Sequence, residues 1–254
     1  MPGLIALVGS GEFLPGMRET DAMLLEDRPG RVVHLPTAAG QEGPGRLARW
    51  QRLAADHYAA LGREVVTLPV IDDASADDPA LAREIDTDTA LIYLSGGNPA
   101  HCARTLRNSL VWKSIMAAWQ AGASLAGCSA GAGALTTVAP NQRGGRSEEG
   151  LGTVPNLAVI PHYDRARFIR PFFMRIIRSS APEGVEIVGI DEDTTLVGRP
   201  GGHAQNAGRA LPGQFLGEAA IHLVGHPGHH QVNDIGIISF SIDGFPQLEF
   251  KIIS

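Results

Sequence analysis

Short uninterrupted apolar runs alternate along this chain with stretches whose apolar residues recur every three or four positions. Leu4–Val8, Arg31–Leu35, Val65–Leu68 and Ala90–Leu94 have the length and content of buried strands, and each ends in turn-forming residues. Between the second and third runs, Leu47, Trp50, Ala54, Tyr58 and Leu61 mark one face of a helix, which Gly62 stops. A helical stretch through Trp119 leads to a fifth apolar run, Ala121–Ala126, and Leu157–Ile160 and Val185–Ile190 read as further strands around a helix rich in Phe and Ile. Strands that alternate with helices in this way predict an α/β fold, a doubly wound and mostly parallel sheet with helices on both faces. The last third differs: Gly198–Gly217 is rich in Gly and Pro, and Ile235–Ser241 and Leu248–Ile253 predict a closing hairpin or added edge strands. With no internal repeat, low-complexity tract or linker, residues 1–254 are expected to form a single domain.

In a doubly wound sheet, ligands gather at the carboxyl ends of the strands. The polar and glycine-rich segments Gly9–Glu12, Thr37–Gly40, Gly96–Asn98, Gly127–Gly131, His162 and Asp191–Asp193 all fall there. Gly127-Cys128-Ser129-Ala130-Gly131 is the most specific of them. It follows a strand, precedes the helix former Ala132-Gly133-Ala134-Leu135, and reads G-x-S-x-G. A strand, a sharp turn and a helix around one serine make a nucleophile elbow, which holds the hydroxyl clear of the sheet.

A serine nucleophile needs a base. His162, just past Leu157–Ile160, should emerge at the same rim, with His101 as the rival; His34, inside an apolar run, reads as core, and His57 lies on a helix. The imidazole in turn needs an acid. Asp191-Glu192-Asp193 ends the next strand, and alternation sets Glu192 on a different side from its two neighbours. The order Ser, His, acid departs from the Ser, acid, His order of α/β-hydrolases, which counts against an ordinary lipase or esterase.

Other candidates are weaker. Gly9-x-Gly11 follows a strand, but Leu14 stands where a dinucleotide fingerprint needs its third glycine. His222, His226, His229 and His230 are interrupted by Pro227 and Gly228 and read as a loop, not a metal site. Cys128 should point into the packing beneath the elbow, and Glu12 and Glu42 lie on loops at the active rim.

Bulk properties narrow the partners. The chain has 254 residues, is 44% hydrophobic and 19% charged, and carries a formal charge of −6 with no basic stretch, which argues against nucleic acid. Two cysteines make no disulfide framework, and neither a signal-type run nor a membrane-length apolar segment is seen. A cytoplasmic protein with no membrane partner is the expectation, with a homodimer the expected form of any assembly.

Four blocks together resemble one known family. They are Leu94-Ser95-Gly96-Gly97-Asn98, Gly127-Cys128-Ser129-Ala130-Gly131-Ala132, Ile160-Pro161-His162-Tyr163-Asp164 and Gly189-Ile190-Asp191-Glu192-Asp193-Thr194. In that order they resemble the serine peptidases that include cyanophycinase and the aspartyl dipeptidase called dipeptidase E, which share a class I glutamine amidotransferase-like fold. The resemblance implies Ser129 as nucleophile, His162 as base and Glu192 as acid, with Asp191 and Asp193 in reserve. It also implies an oxyanion hole of the Gly97 and Ala130 N–H groups, with Asn98 beside the substrate, and no cofactor or metal. Pro99 stands where cyanophycinases carry Gln, and Ile160-Pro161 where they carry Asp-Gln. A small peptide is therefore the expected substrate in place of the cyanophycin polymer. Arg165, Arg167 and Arg170 are candidates to grip a substrate carboxylate, although a solvated helix face is their plainer reading. The competing functions are a non-catalytic ligand-binding protein on the same fold and an amidase or esterase with the same triad.

Overall fold

The computed structural model describes residues 1–141, 147–165, 175, 177, 179–200, 221–223, 237–240 and 248–253. The elements come in the expected alternation. β1 (Ile5–Val8), α1 (Arg18–Leu24), β2 (Arg31–Leu35), α2 (Pro44–Ala60) and β3 (Val65–Thr67) open the chain. Two short helices, α3 (Asp73–Ala76) and α4 (Pro79–Arg83), precede β4 (Thr89–Leu94). Then come α5 (Pro99–Leu106), α6 (Leu110–Ala121), β5 (Ser124–Cys128) and α7 (Ala130–Leu135). The strands β6 (Val138–Ala139), β7 (Glu148–Glu149), β8 (Leu157–Ile160), β9 (Glu186–Ile190) and β10 (Thr195–Pro200) follow, and then β11 (Ile221–Leu223), β12 (Ile237–Phe240) and β13 (Leu248–Ile253).

Among the described residues the main sheet has eight strands in the order β12-β13-β10-β1-β5-β4-β2-β3. The five from β1 to β3 are parallel, and β10, β13 and β12 extend the sheet antiparallel past β1. The expected C-terminal edge strands are therefore β12 and β13. Alternation along the central strands divides the core in two. Ile5, Leu7, Ile92, Leu94 and Leu125 pack with α5, α6 and α7 on one face, while Ala6, Val8, Leu91, Tyr93, Ala126 and Cys128 meet α1 and α2 on the other. These side chains are fully or almost fully buried, as strands covered on both faces require.

Three details differ from the sequence reading. The apolar run before the serine does not begin a strand at Ala121: α6 continues to that residue, Gly122 caps it at φ 121°, and β5 starts at Ser124. The segment Thr195–Pro200, which its Gly and Pro content assigned in part to loop, forms β10 and takes the place beside β1. Because that place is filled, β8 and β9 join with β11 in a separate three-stranded sheet, β8 parallel to β9. Most of the Phe-rich helix expected between β8 and β9 and most of the Gly- and Pro-rich segment 198–217 lie outside the described residues. So do His226, His229 and His230.

The small sheet meets the rest of the fold through the segment after α7 and through the turn that leads into β10. Thr137 N–H donates to the Leu157 carbonyl at 2.8 Å, and Gly9 N–H donates to the Thr194 carbonyl at 2.9 Å. The turn Asp191–Thr194 is the point where the chain crosses from one sheet to the other. That crossing brings the ends of β8 and β9 over the ends of β1 and β5.

Candidate active site

Ser129 sits where β5 turns into α7, at φ 50° and ψ −103°, a conformation that L-residues rarely hold and that costs of order 1–3 kcal/mol. The turn is held from both ends. Ser129 N–H donates to the Val8 carbonyl at 2.9 Å, and the Ser129 carbonyl accepts from Gly133 N–H at 3.1 Å. A Cβ on Gly127 would lie 2.5 Å from the Gly131 carbonyl carbon, so the elbow closes this tightly only with glycine there. Cys128 and Ala130 are fully buried while Ser129 is partly exposed, so the turn presents the serine alone.

His162 and Glu192 come from the small sheet. Parallel pairing sets Ile160 beside Gly189, and Tyr163 N–H donating to the Ile190 carbonyl at 3.1 Å carries the pairing past the strand ends. The two residues thus leave adjacent strands side by side. His162 Nδ1 lies 2.9 Å from Glu192 Oε1, and its Nε2 lies 3.0 Å from Ser129 Oγ. Donation from Nδ1 to the carboxylate fixes the tautomer and leaves Nε2 free to accept from the hydroxyl. His162 also has positive φ, at 52°.

Of the three adjacent acids, Glu192 alone bonds His162. Asp193, with φ 54°, directs its carboxylate at Gly11, and Asp191 is buried. Two contacts that the sequence did not announce hold Glu192. Its N–H donates to Asp164 Oδ1 at 3.0 Å, and Arg165 Nε lies 2.6 Å from its Oε2. Arg165 therefore reaches the site by pairing with the acid. Arg167 and Arg170 lie outside the described residues.

Gly97 has φ 146°, and a Cβ on it would stand 2.3 Å from the Ala38 carbonyl group. Asn98 N–H donates to that same carbonyl at 2.8 Å, which pins the turn beside the elbow. The Asn98 side chain has a tethering position: Oδ1 accepts from Ala100 N–H, and Nδ2 reaches Gln41 Oε1 at 3.3 Å and Asn141 Oδ1 at 3.4 Å. Glu42 pairs with Arg46.

Among the described residues, His34, His57 and His101 are engaged away from Ser129. His101 Nε2 donates to the Ile71 carbonyl at 2.8 Å. His34 bridges Thr67 and Ser95, and burial drives its pKa down to about 3, so it stays neutral in the core. His57 pairs with buried Asp21 at 2.7 Å; burial raises the pKa of that carboxyl group. Burial raises the Cys128 thiol pKa well above its usual value and the Cys102 thiol to about 12. Among the described residues no cluster of three or more His, Cys, Asp and Glu could hold a metal ion. Nor is any described helix long and apolar enough to cross a membrane.

Comparison with known proteins shows the family of the chain. The sequence profile of Peptidase family S51 matches residues 5–205. The crystal structure of a peptidase from an acI-B1 Actinobacterium is 35% identical, with a TM-score of 0.74, and the match covers 94% of this chain and 98% of that one. A candidate peptidase E protein from Listeria monocytogenes EGD-e shares the fold at 16% identity and a TM-score of 0.56, over 78% of this chain and 94% of its own. No curated protein matches the chain. The profile spans the strand ends that carry Ser129, His162 and Glu192, and on that match the chain belongs to Peptidase family S51 and is a serine peptidase.

Proposed function

We propose that this protein hydrolyses peptide bonds in short peptides through a Ser129–His162–Glu192 triad and an acyl-enzyme. The observation that carries the reading is the unbroken chain of contacts from Ser129 Oγ to His162 Nε2 at 3.0 Å and from His162 Nδ1 to Glu192 Oε1 at 2.9 Å. Ser129 attacks the carbonyl carbon as His162 takes its proton, and Glu192 stabilises the imidazolium. The N–H groups of Gly97 and Ala130 flank the oxygen that gains charge. His162 then protonates the leaving amine, and water, activated by the same imidazole, releases the acid product.

A dipeptidase is the form of this activity that the family resemblance favours. Arg165 supports no preference for acidic side chains in this reading, because it already pairs with Glu192. Intact-mass analysis after treatment with a broad fluorophosphonate tests the proposal. One adduct is expected on the wild type and on Cys128→Ala, and none on Ser129→Ala or His162→Ala. Release of free amino acids from a dipeptide panel then defines the substrate. A folded wild type that takes no adduct would overturn the reading.

A further inference from the structure

Glu12 lies on the loop after β1, next to buried Phe13, and is only 7% exposed. An apolar side chain would fill such a place without the desolvation cost of a carboxylate. Both of its oxygens are engaged across the sheet. Oε1 accepts the Gly96 N–H at 3.0 Å, and Oε2 accepts the Cys128 S–H at 2.9 Å.

These partners lie at the carboxyl ends of β4 and β5. The sheet order β1-β5-β4 means that one side chain from the loop after the first strand spans the ends of the next two. Gly96 directly precedes Gly97, and Cys128 directly precedes Ser129. A Cβ on Gly96 would lie 2.9 Å from Glu12 Oε1 and 3.7 Å from Ser129 Cβ, so the carboxylate is seated immediately behind the nucleophile.

We infer that Glu12 is a positioning residue that fixes the Gly96–Gly97 turn against the Ser129 elbow and so sets the width of the oxyanion hole. The inference rests on the serine peptidase mechanism proposed above. It touches neither substrate nor the reacting atoms: its effect is the spacing of two backbone donors. Electrostatic stabilisation depends on where those donors stand when the oxyanion forms, and a displacement of about 1 Å can cost about 100-fold in rate.

Fluorophosphonate inactivation kinetics on the full chain, resolved into a limiting rate and a half-saturating concentration, test it. Glu12→Ala is expected to lower the limiting rate by about 10- to 100-fold at an unchanged half-saturating concentration. Every folded molecule should still be labelled at completion. The double variant Glu12→Gln/Cys128→Ser should recover most of the rate, since the new amide accepts from Gly96 N–H and donates to the new hydroxyl. This rescue keeps the test open if Glu12→Ala does not fold. Wild-type limiting rates in both Glu12→Ala and Glu12→Gln, or a loss in the labelled fraction with no loss in rate, would overturn the inference. A wild type that takes no label overturns the mechanism beneath it instead.

Discussion

Arg165 places its Nε 2.6 Å from Glu192 Oε2, on the carboxylate oxygen that His162 does not use. With Asp164 Oδ1 accepting the Glu192 N–H, the short segment His162–Arg165 holds the acid at both side-chain oxygens and at its backbone. The Arg165 side chain is 77% exposed, and exposed pairs contribute no more than about 1 kcal/mol. Arg165→Ala is therefore expected to leave the melting temperature nearly unchanged and to slow peptide hydrolysis by less than about tenfold. Steady-state kinetics beside a thermal melt checks this, and a loss of a thousandfold would assign Arg165 to the substrate.

Glu192 and Asp193, neighbours just past the end of β9, should separate sharply. Glu192→Gln keeps the shape but can present an amide N–H to His162 Nδ1, which favours the wrong tautomer. A fall in kcat of about 10³- to 10⁴-fold is expected. Asp193→Asn, whose carboxylate faces Gly11, should retain most of the activity. Comparison of kcat for the two purified variants decides.

Gly97→Ala places a methyl group 2.3 Å from the Ala38 carbonyl at a backbone φ of 146°. Strain of roughly 1–3 kcal/mol is expected in denaturant unfolding. If Gly97 N–H faces the oxyanion, kcat should fall by about 100-fold or more, since the turn must move to relieve the clash.

The thiols should be silent in the native protein. Burial holds both Cys102 and Cys128 in the protonated form well above neutral pH, and only a thiolate reacts readily. Maleimide at pH 8 is expected to add nothing to the folded chain and two groups after unfolding, as followed by intact mass, because the sequence has 2 cysteines.

His34 gives a pH dependence with a defined sign. Its pKa is about 3 when folded, against an ordinary value of 6.5, so between those values the unfolded chain binds the extra proton. Stability from this residue is complete above pH 6.5 and declines as the pH falls toward 3. Asp21, whose pKa is raised by burial, acts in the opposite direction, so the wild-type curve alone does not isolate the effect. The difference in unfolding free energy between wild type and His34→Gln should shrink from pH 7.5 to pH 5, by urea titration at each.

The parts of the site legible in the sequence were those written locally. The strand ends announce themselves by apolar runs that stop at Gly, Ser, Pro or Asp, so Ser129, His162 and the acids Asp191–Asp193 could be set on one rim from periodicity, while the choice of Glu192 among the three rested on the family resemblance. The role of Glu12 could not be read this way, because its partners are 84 and 116 residues away and nothing near it in sequence requires a buried carboxylate. Arg165 is a similar case: three residues past a histidine it reads first as part of a solvated face and second as a grip for a substrate carboxylate, and only the crossing of β9 into β10 brings Glu192 to it. β10 itself was obscured by Gly198 and Pro200, residues that sheets usually exclude but that pairing with β1 and β13 tolerates here.

The nucleophile and its two partners follow strands of different sheets. Ser129 is anchored in the eight-stranded sheet, while His162 and Glu192 ride on the three-stranded one. Catalytic competence is thus a property of how two hydrogen-bonded layers are docked, and it can be lost with every strand still paired. On slow heating, turnover should disappear at a lower temperature than the far-ultraviolet dichroism of the sheet, and return on cooling as the smaller layer seats again.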